Sequence, residues 1–191
     1  MEMLNVKIKL AILGYEGFAK RAVKYTNYLN NVDVNVYSSF GCESVPLAKK
    51  LESSGIDAIL TGRANYIQLK DKINIPIIPF KVTFTDIIKA FKEVEKFGHK
   101  KIAMAYSSFD DFELNFNILS DLFGLDIVQI SYVSKTELED KIKSVKNRGI
   151  KILIGTTMAV EISKEIGITG IEIYSVENVI INSIDKAVEV I

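Results

Sequence analysis

The chain has 191 residues, 48% of them hydrophobic, and its 24 basic and 24 acidic side chains give a net charge of zero. This composition supports a folded core, and zero net charge argues against direct binding to nucleic acid, which needs a cationic surface. One cysteine and one histidine exclude a disulfide framework and a closed transition-metal site, so no metal or other cofactor is expected. No apolar run approaches the ~18 residues of a spanning helix, and the start of the chain has no cleavable signal pattern. We therefore expect a cytoplasmic protein that does not contact membranes.

Short runs rich in Ile, Val and Leu alternate with amphipathic segments along the whole chain. Most of the runs are continuously apolar, which is typical of strands buried on both faces of a parallel sheet. In chain order, the predicted strands are Val6–Leu13, Val32–Tyr37, Asp57–Thr61, Ile75–Phe80, Lys101–Tyr106, Asp126–Ser131, Lys151–Gly155 and Gly170–Tyr174. The predicted helices that alternate with them are Phe18–Asn30, Glu43–Ser54, Asn65–Lys72, Thr85–Phe97, Phe112–Phe123, Lys135–Arg148, Met158–Ile166 and Glu177–Val190. Eight alternating units indicate an α/β fold with right-handed crossovers.

The chain also repeats itself with a shift of 93 or 94 residues. Lys7-Ile8 matches Lys101-Ile102, and Gly55-Ile56-Asp57 matches Gly149-Ile150-Lys151. Any two strand–helix halves look somewhat alike, but matching glycines at a constant shift favour a duplication. We therefore predict two similar lobes, each a four-stranded parallel sheet with helices on both faces, and a cleft between them.

Ligands of open parallel sheets bind outside the carboxyl ends of the strands, where helix N-termini favour anions. After the third strand, Arg63 can meet a carboxylate with its forked donors, although a surface arginine after an ordinary turn is the alternative. After the seventh strand, Gly155 allows close backbone approach, and Thr156 and Thr157 act either as ligand contacts or as N-caps. Lys81 follows the fourth strand, and Thr83 or Thr85 is expected to cap the next helix.

Two other loops have simpler explanations. Gly14-Tyr15-Glu16-Gly17 resembles a phosphate-binding turn but lacks the third glycine of a dinucleotide fingerprint, so a tight turn is favoured. Asp110 and Asp111 could hold Mg²⁺, but acidic residues in a first turn more often serve helix capping. No nucleophile, base and orienting group stand out, so no catalytic residue is predicted.

Four stretches together resemble the N-terminal sensory domain of the propionate catabolism activators, which are NtrC-family, sigma-54-dependent transcriptional regulators. The stretches are GIDAILTGRANYIQL (55–69), INIPIIPFKVTFTDIIKAF (73–91), LFGLDIVQISY (122–132) and GIKILIGTTMAVEISKEIGITGIEIYSVE (149–177). The resemblance implies two chelatase-like α/β/α lobes, with the final helix returning to the first lobe. The boundaries expected on this basis are 1–82 plus 177–191 for lobe one and 83–176 for lobe two.

The resemblance is incomplete at the loops. Residues 61–66 read Thr-Gly-Arg-Ala-Asn-Tyr where the family has Ser-Arg-Gly-Gly-Thr-Ala, and Thr83 replaces a serine in the family's Lys-Val-Ser-Gly-Phe-Asp stretch. The family's Gly-Gly-Thr-Leu-Ala is matched by Gly155, Thr157 and Ala159, with Thr156 at the second glycine. The resemblance would imply methylcitrate as the effector. Because these loops differ from the family pattern, the sequence does not predict methylcitrate for this chain.

These observations lead to one interpretation and one alternative. The chain is interpreted as a sensory domain that binds a small organic anion, most simply a carboxylate, between its lobes. The predicted ligand-binding residues are Thr61, Arg63, Ala64, Asn65, Lys81, Thr83, Gly155, Thr156 and Thr157. The expected partners are this effector and a downstream ATPase module of the same polypeptide, and the resemblance also allows a homo-oligomer. The alternative is a chelatase-like or racemase-like enzyme on the same scaffold.

Overall fold

The computed structural model describes residues 7–27, 29–109 and 115–191. Its strands are β1 (Ile8–Gly14), β2 (Val32–Ser38), β3 (Ala58–Thr61), β4 (Ile77–Pro79), β5 (Lys101–Ser107), β6 (Asp126–Tyr132), β7 (Ile152–Gly155) and β8 (Thr169–Glu172). Its helices are α1 (Glu16–Ala22), α2 (Ser44–Ser53), α3 (Arg63–Leu69), α4 (Phe84–Glu95), α5 (Phe116–Phe123), α6 (Lys135–Asn147), α7 (Thr157–Ile166) and α8 (Val176–Val190). Short 3₁₀ turns lie at Val23–Tyr25 and Gly41–Glu43.

The strands form two separate four-stranded sheets, which confirms the predicted fold class. One sheet has the order β2-β1-β3-β4 and the other β6-β5-β7-β8, and all neighbouring strands are parallel. The central strands are the most deeply buried, as their continuous apolar runs predicted; residues 10–13 of β1 have no exposed surface. The chain up to Lys81 together with Val176–Ile191 forms one compact unit, and Val82–Ser175 forms the other.

The internal repeat appears in the backbone as well as in the sequence. Gly55 and Gly149 both have φ +81°, a left-handed conformation that favours glycine, and each ends a helix shortly before the third strand of its sheet. The amide that follows each glycine donates back into the preceding helix: Ile56 N to the Leu51 carbonyl at 3.2 Å and Ile150 N to the Val145 carbonyl at 3.1 Å. Equal turns and equal strand orders support the duplication.

The first predicted helix is wrong at its C-terminal end. It was expected to run to Asn30, but α1 ends at Ala22 and a 3₁₀ turn ends at Tyr25. Asn27, Asn30 and Asn31 follow this turn, and asparagine side chains compete with the helix by hydrogen-bonding to nearby backbone groups. The helix predicted at Phe112–Phe123 falls partly outside the described residues; its described part begins at Phe116 after the N-cap Asn115.

The C-terminal helix α8 packs on the first unit. It contacts α1, β1, β3 and β4, and its buried face consists of Val176, Val179, Ile180, Ser183, Ile184 and Ala187. The residues immediately before α8 belong to the second unit, so the chain crosses between units twice, after Lys81 and after Ser175. No helix among the described residues has the length and apolarity needed to span a bilayer.

Removing a buried side chain from α8 should destabilise the protein. Ile180 has no exposed surface, and Ile180→Ala is expected to lower the free energy of unfolding by about 2–5 kcal/mol, because it leaves a cavity against the first sheet. Val190, which is 49% exposed near the end of the same helix, provides the control, and Val190→Ala should stay within about 0.5 kcal/mol of the parent. Urea denaturation measures both; equal losses would contradict the packing of α8.

Candidate functional site

Two basic residues leave the first sheet at the carboxyl ends of adjacent strands. Thr61 and Pro79 are paired at the ends of β3 and β4, and Arg63 and Lys81 each follow two residues later. Neighbouring strands lie about 4.8 Å apart, so the backbone presents both basic residues at one sheet edge. Lys81 is exposed and Arg63 is half-buried.

The Arg63 guanidinium is positioned by an aromatic ring of its own helix. Its central carbon lies 5.1 Å from the centre of the Tyr66 ring, within the range of a cation–π contact. Arg63 is the first residue of α3, two residues earlier than the predicted helix start, so its side chain stands at the strand end. A guanidinium carries a planar set of donors whose geometry matches a carboxylate.

Thr61 and Asn65 are buried and form hydrogen bonds with the protein itself. The Thr61 hydroxyl donates to the Leu13 carbonyl at 2.7 Å and accepts from Asn65 Nδ2 at 3.0 Å. Asn65 Nδ2 also donates to the Ser39 carbonyl at 3.1 Å, and Asn65 Oδ1 accepts from Gly41 N at 2.9 Å. The structure therefore buries these two predicted ligand residues within the first unit; Ala64, beside them in α3, is half-buried.

The corresponding loop of the second sheet is packed through small residues. A Cβ added at Gly155 would lie 2.7 Å from the Ala159 Cβ and 3.2 Å from the Ala105 carbonyl oxygen. Contacts this short leave no room for a side chain, so Gly155 allows α7 to approach β7 and β5 closely. This packing accounts for the glycine without a ligand.

Thr157 begins α7 and is hydrogen-bonded to an acidic residue. The residue is 1% exposed, its hydroxyl donates to Glu172 Oε1 at 2.7 Å, and the Tyr174 hydroxyl lies 3.4 Å from Thr157 Oγ1. The helix dipole favours a carboxylate at an N-terminus, and here Glu172 supplies one. Sequence reasoning missed Glu172 because a single acidic residue at a strand end gives no periodic signal.

Thr156 occupies the N-cap position of α7 without making a side-chain capping bond. Its hydroxyl instead lies 3.2 Å from the Tyr132 hydroxyl at the end of β6. In the first turn of α6, hydrogen bonds from Lys141 and from Val133 N lower the pKa of the Glu137 carboxyl below its ordinary value. The carboxyl edge of the second sheet thus carries the hydroxyls of Thr156 and Tyr132, the Glu172 carboxylate, and Glu137 paired with Lys141 at 2.7 Å, whereas the first carries Arg63 and Lys81.

Thr83 caps α4, as the sequence predicted for Thr83 or Thr85. Its hydroxyl donates to Asp86 Oδ2 at 2.6 Å and accepts from Asp86 N at 3.2 Å, while Thr83 N donates to Asp86 Oδ2 at 2.9 Å. This reciprocal arrangement is a capping box. The structure therefore gives Thr83 a helix-capping role.

The remaining predicted features have structural explanations or lie outside the described ranges. A Cβ at Gly14 would lie 2.6 Å from the Phe18 ring, so the tight turn after β1 allows Phe18 to pack. Asp110 and Asp111 lie outside the described residues. Within residues 7–27, 29–109 and 115–191, no group of three or more His, Cys, Asp or Glu side chains could hold a metal ion.

Comparison with known proteins gives one family and several similar folds. A family model described as "Propionate catabolism activator" matches residues 6–191. An NtrC family transcriptional regulator from Clostridium acetobutylicum matches with a TM-score of 0.76 and 21% identity over 96% of each chain. The ABC domain in complex with L-Trp from Streptococcus pneumonia has a TM-score of 0.56 and 13% identity, over 96% of this chain and 84% of that one.

A more distant match is an ABC transporter periplasmic solute-binding protein from Actinobacillus succinogenes with bound D-allose. It has a TM-score of 0.51 and 13% identity over 96% of this chain and 91% of that one. At these identities, the three solved structures show a shared fold.

The contact between Thr157 and Glu172 should contribute measurably to stability. Thr157→Val keeps the shape of the side chain but removes the hydroxyl, and is expected to cost about 1–3 kcal/mol because Glu172 loses a partly buried donor. Thr169→Val is the matched control, since Thr169 is exposed on β8 and should change stability by less than about 0.5 kcal/mol. Urea denaturation compares the two; similar effects would show that the Thr157 hydrogen bond is unimportant.

Proposed function

This chain belongs to the propionate catabolism activator family, and we propose that it is the ligand-sensing domain of a sigma-54-dependent transcriptional activator whose effector is a small organic carboxylate. Family membership supports the regulatory role. The match to folds solved with L-Trp and with D-allose supports the binding of a small molecule. The effector class is inferred from the residues at the strand ends.

The observation that carries this proposal is the position of Arg63 and Lys81 at the ends of adjacent strands. Two cations at one sheet edge can meet both oxygens of a carboxylate, and a bidentate contact with arginine is among the stronger hydrogen bonds in proteins. The contact with Tyr66 holds the guanidinium before the effector arrives, which lowers the entropy cost of binding. Thr61 and Asn65 support this turn.

The second sheet edge suits a different part of an effector. Thr157 already donates to Glu172, so a carboxylate placed against this hydroxyl would face another carboxylate. The hydroxyls of Thr156 and Tyr132 can both donate and accept, and Glu172 can accept from a hydroxyl or an ammonium group. We therefore assign the charged end of the effector to Arg63 and Lys81, and assign polar contacts to Thr156 and Tyr132.

Signalling requires that the effector bind one state of the domain more tightly than another. The helix α8 is the proposed output, because it packs on the first unit while the residues before it belong to the second. A change at the edge of the first sheet would reach α8 through its packing on that unit, and a change at the second through the chain that leads into α8. An ATPase module attached to the domain would receive the change from α8.

A screen of dicarboxylates and tricarboxylates by thermal shift and calorimetry tests the proposal. An effector at 100 times its dissociation constant should stabilise the protein by about 2.7 kcal/mol. Arg63→Ala should weaken binding by about tenfold or more, and Lys81→Ala by less, because Lys81 is exposed and screened by solvent. Arg148→Ala, at an exposed arginine after α6, provides the control and should leave affinity unchanged.

Two results would contradict the proposal. One is undiminished affinity in both Arg63→Ala and Lys81→Ala. The other is consumption of the carboxylate by the purified domain, which would indicate an enzyme.

A further inference from the structure

Asn65 connects two loops of the first unit that are distant in sequence. Its carboxamide is buried, with 3% of the residue exposed, and it bonds to Ser39 and Gly41 in the loop after β2 and to Thr61 at the end of β3. We propose that Asn65 is a positioning residue that locks these two loops together, so that the position of one loop fixes that of the other.

The bonding capacity of Asn65 matches its surroundings. A carboxamide has two donor hydrogens and one acceptor oxygen, and here both donors and the acceptor have protein partners. A buried polar group without partners is costly, so release of either loop would leave buried groups unpaired. Asn65 therefore bonds to both loops at once with its full bonding capacity.

The loop after β2 is tethered on its other side as well. Ser39 N donates to the Gly14 carbonyl at 2.9 Å, and the hydroxyls of Ser39 and Ser44 lie 3.0 Å apart. Gly41 has φ +69°, a left-handed conformation that directs its N–H to Asn65. The loop thus depends on Asn65 for its link to β3 and on Gly14 for its link to β1.

The second unit has an apolar counterpart at this position. The first turn of α3 is closed by a bond from Tyr66 N to the Gly62 carbonyl, and the first turn of α7 by the matching bond from Val160 N to the Thr156 carbonyl. Asn65 and Ala159 each come directly before the donor residue, so they occupy equivalent positions. A methyl group cannot form hydrogen bonds, and Ala159 instead packs against Gly155. Ala159 therefore cannot form the bonds that Asn65 forms, and this inference does not depend on which effector the domain binds.

Amide hydrogen exchange of the ligand-free protein tests the lock directly. In Asn65→Ala, exchange at the Gly41 amide should become at least tenfold faster, while exchange at the Ile59 amide of β3, which donates to the Pro76 carbonyl in the same unit, stays unchanged. Asn182→Ala is the matched control, since Asn182 is exposed on α8, and it should leave the Gly41 amide unchanged. If Asn65→Ala does not fold, Asn65→Ser replaces it with the same expectation, because a serine hydroxyl is too short to reach Gly41.

A second readout separates loop positioning from general stability. Cys42 follows Gly41, is exposed, and is the single cysteine of the sequence, so a nitroxide attached there reports on this loop alone. Its spectrum should show greater mobility in Asn65→Ala than in the parent or in Asn182→Ala. Unchanged Gly41 exchange and unchanged nitroxide mobility in a folded Asn65 variant would overturn the proposal. So would equal acceleration at Gly41 and Ile59, which indicates destabilisation of the first unit as a whole.

Discussion

The parallel direction of all strands in each sheet is the constraint on which the rest of this structure depends. Because neighbouring strands run the same way, every strand ends at one edge and the loops that follow meet there. Residues as distant in sequence as Ser39, Thr61 and Lys81 thus follow strands of one sheet at its carboxyl edge. The central strands need continuous apolar runs to be buried on both faces, which leaves the loops as the places where polar groups can differ between the two halves.

The two halves kept the scaffold and diverged at this edge. The equivalent backbone positions hold Thr61 and Asn65 in one unit and Gly155 and Ala159 in the other: the first pair joins its loops by hydrogen bonds, and the second allows a helix to approach a strand. The charges diverged as well, with Arg63 and Lys81 at the first edge and Glu172 at the second. A duplicated fold can in this way present two chemically different sheet edges while both halves keep the same strand order.

The sequence predicted the architecture well because its signals are local. Apolar runs identified the strands, and the matching glycines Gly55 and Gly149 identified the repeat. The predicted C-terminal end of α1 was wrong because the asparagine side chains that follow it compete for backbone hydrogen bonds and end the helix early. The hydrogen bonds at the candidate site could not be predicted: Thr61 and Asn65, which the sequence predicts as ligand contacts, bond to Leu13, Ser39 and Gly41, which lie 24 to 48 residues away in sequence. Only the folded chain brings such groups together.

Mapping of amide chemical shifts during a titration with citrate, as a representative tricarboxylate, tests the central claim most directly. If the first sheet edge binds the anionic end of the effector, the largest shifts should occur at the amides of residues 62–65 and 81–82, which flank Arg63 and Lys81. They should saturate with citrate and weaken as ionic strength rises, since exposed charges are screened by salt. Shifts confined to the second unit, or no shifts at the first edge at saturating citrate, would contradict the assignment of Arg63 and Lys81 as the anion contacts.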